Sequence, residues 1–151
     1  MSKSTVLTLV GSLRAESTNQ KLAEAIQLNA PDQVDVVIHE SLGNIPFYNE
    51  DIDVEGQVPA AAAALRAAAN DADTILLVTP EHNGTVPASL KNAIDWLSRP
   101  FGAGAQVLED VKLAVPGSMV RFAELHPKDD AEVVEQIKGV FDALAAAQPA
   151  A

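Results

Sequence analysis

The chain contains no cysteine, which removes disulfides, thiolate nucleophiles and thiolate metal ligands while leaving the compartment open. It is also short of positive charge, with 10 Lys and Arg against 21 Asp and Glu and a formal charge of −11. Nucleic acid is therefore not an expected partner, because phosphate binding needs concentrated Lys and Arg to release counterions. A membrane surface is not expected either. No window approaches the roughly eighteen uninterrupted apolar residues of a membrane span, and MSKSTVLTLVG lacks the apolar region and cleavage site of a signal peptide. The resulting expectation is a cytoplasmic protein. Neither GxGxxG nor GxxxxGK[ST] occurs, Ser12 is not in a GxSxG elbow, and His39, His82 and His126 lack metal-ligand spacing. Neither a serine hydrolase nor a metal site is predicted.

What is present is a chain of 151 residues, 48% hydrophobic, long enough for one domain with a real core. TVLTLVG, from Thr5 to Gly11, is a β-branched run without polar alternation, as suits a strand buried on both faces. TNQKLAEAIQL follows as a helix with Leu22, Ala25 and Ile26 on one stripe and Ser17 or Thr18 as cap. VDVVIH is a second strand and ADTILLV a third, with an alanine-rich helix opened by Pro59 between them. A helix from Pro87 turns Leu90, Ala93, Ile94 and Leu97 inward. Trp96 falls on its flank, a place for edge packing or a subunit interface. Val111 to Val115 is a fourth strand candidate, and DDAEVVEQIKGVFDALAA a last helix with Val134, Ile137, Phe141 and Leu144 inward. Strand and helix in alternation predict a parallel sheet with helices on both faces. The stretch from Glu40 to Pro59 has no period and is either a lid or a surface excursion, and its carboxylates Glu50, Asp51, Asp53 and Glu55 read as a solvated run.

Ligands of such sheets bind beyond the carboxyl ends of the strands, which directs attention to the loops after strands one and three. GSLRAESTNQ gathers hydroxyls at Ser12, Ser17 and Thr18, the amide of Asn19, the guanidinium of Arg14 and the orphan N–H groups of a helix start. A phosphate monoester needs that donor set; the alternative is a capped helix with a surface arginine. A distant acidic field does not forbid an anion, since charges beyond about 8–10 Å are largely screened. TPEHNG places Pro80, Glu81, His82, Asn83 and Gly84 in succession, with backbone amides suited to the edge of a flat heterocycle, or forms a plain strand-to-helix turn.

GSLRAESTNQKL and TPEHNGTVPASLKNAIDWLSRPFG resemble the two signature segments of the NADPH-dependent FMN reductase family, and IPFYNEDID resembles its lid. The resemblance runs from about Val6 to Gly102. It implies a single α/β domain of flavodoxin-like, three-layer architecture. It also implies that Ser12, Arg14, Ser17 and Asn19, with the amide of Gln20, hold the FMN phosphate. Pro80, Glu81, His82, Asn83 and Gly84 then wrap the isoalloxazine edge. Hydride passes from NADPH through FMN to a small electron acceptor: a flavin, quinone, azo compound or metal oxyanion. No dedicated catalytic acid or base is required, because the cofactor carries the chemistry. Family members commonly form homodimers or homotetramers.

The chain departs from the family twice. His82 stands where tyrosine is usual, placing a titratable imidazole near the ring. A strand, a glycine-containing loop and a helix, roughly 30 residues, are absent where SRPFGAGA meets VLEDVKLAVPGS at about Ala105 and Gln106. The expectation is a sheet of four strands, one fewer than the family. Val111 to Val115 then takes the vacant place beside strand three, with Pro116 to Ser118 replacing the lost loop. The alternatives are that the strand pairs in a partner subunit or that the shortened chain folds poorly. A competing reading is a degenerate, non-catalytic relative that binds FMN weakly or not at all and serves as an oligomerisation or interaction module.

Overall fold

The computed structural model describes residues 3–99, 108 and 111–147. Strand β1 spans Ser4–Val10, helix α1 Thr18–Leu28, β2 Val34–Ile38, α2 Ala60–Asn70, β3 Thr74–Val78 and α3 Ala88–Leu97. A single-turn helix α4, Ser118–Arg121, and the long helix α5, Ala131–Ala147, follow. Both ladders of β1 are parallel, Val6 lying opposite Val36 on one side and Thr74 on the other, so the order is β2-β1-β3. Winding reverses at β1, and a ligand crevice belongs at the carboxyl ends of β1 and β3.

Strand β1 is central and its residues alternate between two cores. Val6 and Val10 pack with Ala23 and Ile26 of α1 and Val133, Ile137 and Phe141 of α5. Leu7 and Leu9 pack on the opposite face with Leu65 of α2 and Leu90, Ala93 and Trp96 of α3. Helices therefore cover both faces of a parallel α/β sheet. No helix of the described residues is long and apolar enough to cross a membrane.

Several expectations are corrected. Val111 to Val115 belongs to no strand of the three-stranded sheet formed by the described residues, so it does not take the place beside β3. Its side chains alternate as a strand's do, with Val111, Leu113 and Val115 half-buried against the α1–α5 core. A cavity lined by both elements lies between it and β3. The junction at Ala105 and Gln106 lies outside the described residues. On α5 the buried valine is Val133 rather than Val134, because Asp130 caps the helix and sets its phase. Trp96 is fully buried rather than at an edge or interface, because residues 45–48 fold back over that flank of α3. Asp53 is not a free member of a solvated run, since it pairs with Arg66.

Candidate functional site

Parallel pairing brings the loops after β1 and β3 out side by side. Gly11 N–H donates to Val78 O at 2.8 Å, and a Cβ on Gly11 would lie 2.9 Å from Thr79 Oγ1. Only glycine permits that approach. Ser89 of α3 completes the junction by donating its hydroxyl to Gly11 O at 3.1 Å.

In the first loop, Ser12 is half-buried and Arg14 exposed. Ser17 is buried as the cap of α1, its Oγ accepting from Gln20 N–H at 3.2 Å. The Gln20 amide is thus spent on Ser17 Oγ, a use that the cap signal foretells, while the Ser17 O–H keeps its donor capacity. The Gln20 side chain donates to Glu24 Oε1 at 3.2 Å. Arg14 is near the third segment, its Nη2 3.8 Å from Met119 Sδ.

The second loop is a small hairpin. His82 N–H donates to Thr85 O at 2.9 Å and Thr85 N–H to His82 O at 3.0 Å. Between them Asn83 and Gly84 have φ of 54° and 75°. Two successive positive φ values at Asn-Gly make the two-residue turn favoured in hairpins. Residues 81–85 are exposed, and pairing consumes the His82 amide, leaving those of Asn83 and Gly84 outside it.

A third segment joins them. Gly117, with φ of 65°, leads into α4, and Ser118 and Met119 line a cavity of about 770 Å³. Thr18, Asn19, Pro80 and Glu81 line the same cavity, whose apolar walls include Leu76, Leu113, Ile137 and Val140. Asn19, Pro80 and Glu81 of the expected site thus share one wall, and Arg14 is joined to it through Met119. Ser12, Ser17, Gln20, His82, Asn83 and Gly84 are not on that wall. Arg121 of α4 grips Asp130 at 2.6 and 2.7 Å and Glu132 at 2.7 Å, which ties the third segment to the start of α5. The guanidinium of Arg121 holds the Asp130 carboxyl below the usual carboxylate range, against a smaller opposing effect of burial.

Residues 41–53 flank the site as a strap. Leu13 of the first loop rests on Gly43, where a Cβ would meet Leu13 Cδ1 at 3.2 Å. Asn92 and Trp96 of α3 bond the strap's backbone, and Arg66 holds its far end through a bidentate pair with Asp53 at 2.6 and 2.9 Å. Sequence reasoning passed over Asn92 and Arg66. The available signal was a polar Asn92 beside the apolar stripe of LKNAIDWL, a position that needs a buried partner.

The family model for NADPH-dependent FMN reductase matches residues 4–147. A quinone reductase from Pseudomonas putida is 47% identical over 100 residues, 66% of this chain and 53% of that protein. One from Escherichia coli K12 is 45% identical over 94 residues, 62% of this chain and 50% of its own. This chain thus spans about half the length of the curated relatives it matches. Among solved structures, a flavoenzyme NAD(P)H:(acceptor) oxidoreductase from Paracoccus denitrificans superposes with a TM-score of 0.59 at 36% identity, over 66% of this chain and 53% of that one. An azoreductase from Bacillus anthracis, at 20% identity and a TM-score of 0.50 over 91% of this chain and 81% of its own, shares the fold. With a parallel β2-β1-β3 sheet, helices on both faces and signature loops meeting at Gly11 and Thr79, the chain belongs to the NADPH-dependent FMN reductase family.

Proposed function

We propose that this chain is an NAD(P)H-dependent flavin oxidoreductase that binds FMN at the carboxyl edge of its sheet, with a quinone as acceptor. The observation that carries the reading is the junction of Gly11 and Thr79, which holds a donor-rich loop and an exposed hairpin against one another. The quinone rests on the names of the relatives at 45–47% identity.

The residues fit the group. Ser12, Arg14 and Asn19 supply a hydroxyl, a guanidinium and an amide for the phosphate, beside the first-turn N–H groups of α1. Ser17 and Gln20 close that first turn and so shape the loop around them. Within Pro80 to Gly84, the amides of Asn83 and Gly84 lie outside the hairpin pairing and serve the ring edge, with the turn there holding His82 in place. When bound, FMN supplies the hydride relay between a reduced nicotinamide and the acceptor. The chain's own task is to grip the phosphate and leave one ring face open. The same reading expects a single domain that assembles as a homodimer or homotetramer.

The test is the visible spectrum of the purified protein. Flavin bands that bleach on adding NADPH and return on adding a benzoquinone are expected. A colourless protein that takes up no added FMN overturns the reading. Arg14→Ala removes one charge-assisted bond, worth about 1.5–3 kcal/mol, and should weaken FMN binding at least tenfold. Fluorescence titration measures it, and unchanged affinity refutes the role of Arg14.

A further inference from the structure

We propose that Asn92 is a positioning residue that sets the geometry of the phosphate-holding loop through the strap of residues 41–48. The proposal rests on reading that loop as the phosphate site.

Asn92 is 7% exposed on a helix face otherwise packed with Leu90, Ala93 and Trp96. A buried amide costs free energy unless its bonds are made. All of those made by Asn92 go to the strap: Oδ1 accepts from Tyr48 N–H at 2.8 Å, and Nδ2 donates to Ile45 O at 3.3 Å and Pro46 O at 3.0 Å. One turn later Trp96 Nε1 donates to the same Pro46 O at 2.8 Å. An aliphatic side chain here would leave the Tyr48 N–H without its partner, so the amide's distinctive contribution is register. It selects one backbone arrangement for residues 45–48.

That register reaches the site. The strap turns at Ser41, whose Oγ accepts from Gly43 N–H at 3.3 Å, and Leu42 and Ile45 anchor it in the core with Leu7, Leu9 and Leu90. Gly43 then supports Leu13, whose two methyl carbons lie 3.2 and 3.3 Å from where a Gly43 Cβ would be. Three residues before Asn92, on the same face of α3, Ser89 holds Gly11 O. Helix α3 therefore grips the first loop at Gly11 directly and at Leu13 through the strap. Ser12 lies between the two grips and Arg14 immediately beyond them.

The experiment compares Asn92→Ala with the wild-type full chain by amide hydrogen exchange without flavin, and by the ratio of FMN to riboflavin affinity. Riboflavin lacks the phosphate, so a merely structural loss lowers both affinities together. Expected are exchange at Leu13 and Arg14 about tenfold faster, unchanged exchange across Val6 to Val10, and an FMN-to-riboflavin ratio about tenfold lower. Gly43→Ala is the second variant, should Asn92→Ala not fold. It is exposed, and its added methyl meets Leu13 Cδ1 and Cδ2 at 3.2 and 3.3 Å and Ser41 Oγ at 3.4 Å, which displaces Leu13 from the strap side. It should move the same two readouts. Exchange within twofold of wild type in folded variants, or an equal loss of FMN and riboflavin, overturns the proposal. If wild type itself does not distinguish FMN from riboflavin, the phosphate reading fails, while the exchange data still decide whether Asn92 positions the loop.

Discussion

Asp53 stands in the run Glu50, Asp51, Asp53 and Glu55, which by charge alone reads as solvated surface. In the fold it accepts both ends of the Arg66 guanidinium, which itself donates to Trp96 O at 3.0 Å and lies over the Trp96 ring. The hydrogen bonds from Arg66 hold the Asp53 carboxyl below its ordinary value of 3.8, outweighing burial, which pushes the other way. A depressed folded value means that the pairing stabilises the fold above the unfolded value and is lost as pH falls through the folded one. The advantage of wild type over Asp53→Asn in urea midpoint should therefore be full above about pH 5 and shrink below the ordinary carboxylate range. A difference independent of pH would refute the assignment. Nothing local to residues 50–55 announces this bond, because its partner stands on another element 13 positions along the chain.

At the scale of elements, the helices and strands were the legible part. Periodicity and a cap place α1 at Thr18 to Leu28, where the structure has it, since each residue's environment there follows from near neighbours. The strap was not legible, because its two short turns are held by side chains of α2 and α3 rather than by any pattern of its own. The junction of loops was legible only as the position of Gly11 at a strand's end. Gly11→Ala should destabilise the protein by about 1–3 kcal/mol, as overpacking does, because the new methyl meets Thr79 Oγ1 at 2.9 Å. Much of that cost should disappear in a Thr79→Ala background, measured as a non-additive double-mutant cycle in urea unfolding. Additive effects would show that the two loops are not in contact.

At the scale of the whole molecule, residues 111–115 are held by packing rather than by pairing. Val111, Leu113 and Val115 contribute half-buried side chains to the α1–α5 core, yet no ladder joins them to another described strand. Amides of 112–115 should therefore exchange orders of magnitude faster than those of Val6 to Val10. Protection equal to that of β1 would mean that the segment pairs in solution. The sequence by itself determined the alternation of strands and helices, the parallel sheet and the two loops that carry polar chemistry, since these follow from local periodicity and capping. Only tertiary structure decided that Trp96 is buried, that Val111 to Val115 stays out of the sheet and that Asn92 bonds the strap. Those outcomes depend on contacts between residues far apart in the chain, whose partners no local pattern names.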